Sequence, residues 1–142
     1  MNQFSYPATL QRLDTGVRLC SRDFGGLVVE AACPTEAMQA GSMALADIFT
    51  AYMQDARTLP LPSKALKDEI MIAPPADIMA KAALHMAVLS AGVSKVDLAK
   101  RLGVDEKEVR RLLDPHYKSK LPRIAQAIEL LGKRLVIGLD SA

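Results

Sequence analysis

The chain has 142 residues, half of them hydrophobic, with 18 Lys+Arg against 16 Asp+Glu and a formal net charge of +2. That length makes one domain or two small ones with a real apolar core, and without a long uncharged apolar run no membrane span is expected. The N-terminus lacks the basic-then-apolar layout of a secretory leader, and the two cysteines, Cys20 and Cys33, fit no metal-ligand spacing, so a reduced, cytoplasmic protein without cofactor or metal is expected.

The first half reads as strands followed by a helix. Phe4, Tyr6, Ala8 and Leu10 alternate with mostly polar neighbours from Phe4 to Leu13, the pattern of a half-buried strand. Asp14-Thr15-Gly16 is a turn signal. A second strand follows, with Val17, Leu19 and Ser21 on one face and Arg18, Cys20 and Arg22 on the other. Asp23-Phe24-Gly25-Gly26 breaks the alternation, and Leu27 to Ala32 makes a third strand. Such short connections predict an antiparallel meander, with the cysteines in or near strands. Pro34-Thr35-Glu36 opens a long helix, with Thr35 as N-cap and Glu36 complementing the positive end of the dipole. Met38, Gly41, Leu45, Ile48, Phe49 and Tyr52 form an apolar stripe at helical spacing, predicted to pack on the sheet. Arg57 to Ser63 contains two prolines and cannot be helical. Glu69 to Ala73 reads as a fourth strand whose place in the sheet the sequence does not give.

Pro74-Pro75 marks the expected boundary between a domain over 1–74 and a second over 75–142. A helix from Ala76 to Ala91 ends at Gly92. Ser94 to Leu113, SKVDLAKRLGVDEKEVRRLL, then has the pattern of a helix-turn-helix. Ser94 with Asp97, and Asp105 with Glu108, stand at capping-box spacing. Leu98 and Leu102 lie one turn apart and face inward. Ala99 leaves room for a crossing helix, Gly103 suits a left-handed turn, and Val104, Val109 and Leu112 supply the inner face of the second helix. In such a motif the second helix enters the DNA major groove. The other reading is a plain helical hairpin in an α-helical core. Asp114 to Lys120 is a polar loop. Leu121-Pro122 starts a helix with Ile124, Ile128 and Leu131 inward, ended by Gly132. Arg134 to Leu139 alternates Leu135, Ile137 and Leu139 as a last strand. Without a local partner, it is expected to pair across a dimer axis, or to fold back on its own domain.

Charge sharpens the nucleic-acid reading. Val93 to Arg134 holds 11 Lys+Arg and 6 Asp+Glu, a balance of +5, and the remainder of the chain carries 7 and 10, a balance of −3. A basic excess on the helix-turn-helix segment is the footprint expected for a phosphate backbone. The candidate base-reading residues are Lys107, Arg110 and Arg111, with Glu106 beside them. Arg111 has the alternative of an ion pair with Glu108 or Asp114. Ser94, Lys95, Tyr117, Lys118, Ser119 and Lys120 are the candidate phosphate contacts, which set register but not sequence. One small basic domain binds DNA weakly, so two on one dimer and a palindromic operator are expected.

The order of parts resembles the HicB family of bacterial antitoxins over nearly the whole chain. The resemblance rests on Tyr6-Pro7, on the second strand running into Asp23-Phe24-Gly25-Gly26, and on Thr35-Glu36-Ala37. Pro60-Leu61-Pro62-Ser63 and Leu130-Leu131-Gly132-Lys133-Arg134-Leu135 extend it. Where family members often show a Pro-Asp-Leu-Pro-Gly-like turn, this chain has Arg22, Phe24 and Gly25 in place of the prolines and leucine. The resemblance implies an α+β protein: a partial RNase-H-like antiparallel sheet with one long helix, then an all-α domain with an Xre-like helix-turn-helix. It also implies a partner, a small HicA-like ribonuclease toxin, and repression of the chain's own operon. A basic nuclease favours an acidic surface, and the first half has the negative balance. Asp23, Phe24, Glu30, Glu36 and Asp47 are the candidate toxin contacts, with Phe24 either an anchor or a core residue.

Catalysis by this chain is not expected. A two-metal nuclease needs converging carboxylates, whereas Asp14 lies in a turn, Asp23 near a strand end and Glu30 alone on its strand. His85 reads as an ordinary helix residue and His116 as a loop residue near phosphate. The competing function is a stand-alone helix-turn-helix regulator whose first domain senses a small ligand. A third is a purely structural dimerisation module. A small basic open reading frame next door separates the antitoxin from the regulator, and a gel shift with upstream DNA tests the third.

Overall fold

The computed structural model describes residues 4–141. Strands β1 (Tyr6–Leu13) and β2 (Gly16–Cys20) form a tight hairpin with Leu13 opposite Gly16 and Thr9 opposite Cys20. β3 (Val28–Ala31) adds to the far side of β2, with Val17 opposite Ala31. After α1 (Pro34–Gln54), β4 (Glu69–Ile72) returns beside β1, with Tyr6 opposite Ile72. The sheet is therefore antiparallel throughout, in the order β3-β2-β1-β4. Five helices in all accompany it among the described residues, so the chain has the expected α+β architecture.

The chain divides into two compact units, Met1–Ala51 with Leu59–Met79, and Tyr52–Thr58 with Ala80–Ala142. The core of the first follows the pleat. Tyr6, Ala8, Val17, Leu19 and Ser21 are buried, one face of two adjacent strands. The Ser21 hydroxyl donates to the Pro7 carbonyl at 3.2 Å, which satisfies this buried polar group. Helix α1 buries Ala37, Gly41, Leu45 and Phe49. A Cβ at Gly41 would stand 3.2 Å from Leu19 Cδ2, so glycine here lets the helix lie close on β2. Tyr6 packs edge-on against Phe24 at 4.7 Å and Phe49 at 5.9 Å between ring centroids. Its hydroxyl donates to the Pro60 carbonyl at 2.8 Å, holding the proline-rich connection to the sheet.

Three local expectations are corrected. The helix starts at Pro34, with the Ala37 N–H bonding the Cys33 carbonyl, so Thr35 lies inside the first turn and is not the N-cap. Proline at the first helical position loses no bond that the helix would have made. Met38 faces solvent at the edge of the stripe, and Ala37 takes the inward place. Residues 133–141 form no strand within the chain. Leu135 is half-buried against the second unit's core, but Val136, Ile137 and Leu139 are exposed, so the segment does not fold back as a ladder.

Helix α2 (Ala76–Ala91), which lies in the second unit from Ala80 on, ends at Gly92, which takes φ +64°. Helices α3 (Lys95–Leu102), α4 (Glu106–Leu113) and α5 (Leu121–Leu130) follow. Ala80, Leu84, Ala87, Leu112, Ile124, Ala127 and Ile128 make one buried cluster, and Leu98, Ala99 and Val109 another. No single described helix is long and apolar enough to cross a membrane.

Candidate nucleic-acid interface

The helix pair is built by its caps. The Ser94 hydroxyl accepts from the Asp97 N–H at 3.1 Å, starting α3. The helix stops at Gly103, with φ +70°. The Gly103 N–H bonds the Lys100 carbonyl at 3.2 Å and the Val104 N–H the Ala99 carbonyl at 3.1 Å, the paired bonds of a Schellman ending. Asp105 then caps α4 by accepting from the Glu108 N–H at 2.9 Å. Between the helices, Leu98 and Val109 are fully buried and Ala99 nearly so, which fixes the crossing.

With Val109 and Leu112 turned inward, α4 leaves Glu106, Lys107 and Arg110 on the outside. Arg110 reaches Glu106 at 3.9 Å, with both side chains largely exposed. Such a pair is weak in water and opens at little cost. Lys107 has no ion pair among the described residues. Arg111 differs: it is half-buried, bonds Glu108 Oε1 at 3.0 Å and lies over the Tyr117 ring at 5.6 Å. The ion-pair alternative with Glu108 is thus the arrangement present, and Arg111 lines an open concavity of about 260 Å³. That concavity is also lined by Tyr117, Lys118, Lys120 and Arg123. Ser94, Lys95, Tyr117, Lys118 and Lys120 are all exposed. Ser119 is half-buried, and its hydroxyl accepts from the Lys81 ammonium at 2.7 Å.

Two cations escaped the sequence reading. Arg123 lines the concavity from the first turn of α5, and its guanidinium donates to Gln126 Oε1 at 3.2 Å. Its signal was its place just beyond Lys118 and Lys120. Lys81 is 5% exposed and donates to the Arg111 carbonyl at 3.1 Å, the Leu112 carbonyl at 2.8 Å and Ser119. Burial lowers its pKa from 10.5 to about 8, opposed by the nearby Asp114 carboxylate. Its signal was a lone lysine in the apolar run of α2. His116 lies exposed in the loop, its N–H donating to Asp114 Oδ1 at 2.9 Å. His85 is buried, with Nε2 donating to the Arg57 carbonyl at 2.8 Å.

In the first unit the five acidic-surface candidates do not form one patch of like function. Phe24 is 5% exposed and belongs to the aromatic core, so it is not a surface anchor. Asp23 accepts from the Ser63 N–H at 2.9 Å and from the Ser63 hydroxyl, tying the turn after β2 to the proline-rich connection. Glu30 bonds Arg18 across β2 and β3 at 2.7 Å. Glu36 and Asp47 are exposed on α1, on the side that also shows Met43, 60% exposed. Arg22 bonds Glu69 at 3.0 Å, which holds that carboxylate below its usual pKa. Among the described residues no group of three or more His, Cys, Asp or Glu is placed to hold a metal ion.

No family model matches the chain. It is 30% identical over 131 residues to Antitoxin HicB of Escherichia coli K12, covering 92% of this chain and 95% of that one. It is 31% identical to Antitoxin HicB 2 of Photorhabdus laumondii, over 92% of each chain. It is 32% identical to Antitoxin HicB of Pseudomonas fluorescens, over 75% of this chain and 74% of the relative.

Proposed function

The chain belongs to the HicB antitoxin family, and from that premise we infer an antitoxin that binds a HicA-like mRNA-cleaving ribonuclease and represses its own operon through α4. A role as antitoxin in a toxin–antitoxin system, with a toxin as partner, follows from the family itself. The DNA half of the reading rests on one observation: a capped, glycine-hinged helix pair whose second member keeps Lys107 and Arg110 outside. Those two side chains, with Glu106, reach base edges in the major groove. Ser94, Lys95, Tyr117, Lys118 and Lys120 meet phosphates, joined by Arg123, and Arg111 contributes from the same concavity. Ser119 acts behind them through Lys81.

The first unit is the docking platform for the toxin. Glu36 and Asp47, flanking Met43 on the open side of α1, offer a basic nuclease an acidic rim around an apolar centre. Two copies associate through the apolar tail Leu135 to Leu139, whose Val136, Ile137 and Leu139 are exposed, presenting two α4 helices to a palindromic site in the cytoplasm. Co-expression with the small basic protein encoded next door tests the toxin half: growth is restored by the wild-type chain. Failure of the wild-type chain to bind that protein or to restore growth overturns it. A gel shift with the DNA upstream of its gene tests the other half, and absence of any preferred duplex overturns it.

A further inference from the structure

Among the described residues Lys81 is the buried lysine, and it is not itself one of the proposed DNA contacts. Its placement is specific. The last carbonyls of an α-helix have no partner within the helix and carry the negative end of its dipole. Here the Lys81 ammonium, projecting from α2, donates to two carbonyls at the end of α4, Arg111 at 3.1 Å, which also accepts from the Asp114 N–H at 3.2 Å, and Leu112 at 2.8 Å. Its third proton goes to Ser119 at 2.7 Å. All three donors of the ammonium are therefore used, two on the helix and one on the loop between Lys118 and Lys120. The charged and titratable groups facing it are the Asp114 carboxylate, which favours its charged form, and the Tyr117 ring at 6.0 Å, over which the Arg111 guanidinium also lies.

We propose that Lys81 is a positioning residue for DNA recognition: one buried ammonium locks the end of α4 and the following loop into a single register. The inference rests on the DNA-binding reading above and deepens it. Base-reading side chains and phosphate contacts lie on two segments that share no ladder, and recognition requires both in place at once. Lys81 touches both from beneath, and the Arg111 guanidinium over the Tyr117 ring joins them at the surface.

The test uses the full-length chain and two duplexes, one from immediately upstream of its gene and one of shuffled sequence. Lys81→Met, Ser119→Ala and the double variant are compared, with circular dichroism to establish folding. Lys81→Met lowers affinity for the upstream duplex by about tenfold, the scale of one charge-assisted hydrogen bond. Ser119→Ala weakens binding by a smaller factor, and adds nothing once Lys81 is gone, because both act through one linkage. The pH profile supplies a readout that a merely structural lysine would not move. Wild-type affinity for the upstream duplex steps down as pH rises through about 8, where Lys81 sheds its proton, and that step is missing in Lys81→Met. Should Lys81→Met not fold, Ser119→Ala and the wild-type pH profile decide. Wild-type affinity in Lys81→Met, additive losses, or an absent pH step overturns the proposal while the DNA-binding reading stands. A wild-type chain that does not prefer the upstream duplex removes that reading, and this inference with it.

Discussion

Replacing Gly103 separates backbone geometry from packing at the turn on which the helix pair depends. Gly103 takes φ +70°, and a Cβ built there meets nothing within 4 Å. Any loss on substitution is therefore conformational rather than steric crowding by neighbours. An L-residue in the left-handed region costs roughly 1–2 kcal/mol, with asparagine the exception that tolerates it and β-branched residues worst placed. At a compatible φ, by contrast, Gly→Ala stabilises by about 0.4–1 kcal/mol through the unfolded chain, so the sign of the effect is diagnostic. Urea unfolding followed by circular dichroism is expected to rank Gly103→Asn above Gly103→Ala, and both above Gly103→Val, all below wild type. The Val104–Ala99 bond that closes the Schellman ending is lost with the turn, so binding of upstream DNA falls in the same order. A stabilised Gly103→Ala, or equal losses for Asn and Val, refutes the left-handed hinge.

The caps make a second test: Ser94→Ala and Asp105→Ala each lose about 1 kcal/mol in urea unfolding, and Ser94→Thr or Asp105→Asn recovers most of it. Stability also depends on pH through Lys81. Its native pKa of about 8 lies below the 10.5 of the unfolded chain, so between those values the unfolded state holds the extra proton and rising pH favours the native state. Lys81→Met abolishes this alkaline rise in the urea midpoint. Glu69 has the opposite sense: its pKa is lowered by Arg22, so its contribution is present above about 4.5 and is lost as pH falls through the lower native value. Arg22→Met reduces that acid-side dependence and leaves the part set by the Leu66 N–H, which donates to the same carboxylate. On the toxin side, Asp47→Lys slows association with the neighbouring basic protein, most at low salt, as surface plasmon resonance will read, without lowering the urea midpoint.

What was legible in the sequence is what depends on near neighbours. Ser94 and Asp105 bond N–H groups three residues on, and Gly103 is needed where it stands, so both helices and their hinge were readable to within a residue. The alternation of Val17, Leu19 and Ser21 gave the buried face of β2 for the same reason. Long-range pairings left no local trace. The place of β4 beside β1 joins segments far apart in the chain, and Asp23 reads as an exposed acid until Ser63 is seen against it. Phe24 sits in a glycine-flanked break, which resembles a surface turn, yet its ring turns into the core beside Tyr6. Lys81 looked like an interruption of an apolar helix, and its partners lie on α4 and the loop after it. The tail from Arg134 shows strand alternation, but alternation describes two faces and does not supply a neighbouring strand; Leu135 packs inward and the rest stays open.

The most direct test of base reading by α4 is a salt titration of wild type, Lys107→Ala and Arg110→Ala on the upstream and shuffled duplexes. Arg110 gives up only a 3.9 Å surface pair with Glu106 to reach a base. Its removal is therefore expected to cost roughly 1–3 kcal/mol on the upstream duplex and far less on the shuffled one. Equal losses on both duplexes, for Arg110 and Lys107 alike, would show that α4 touches backbone and not bases, and would contradict the account.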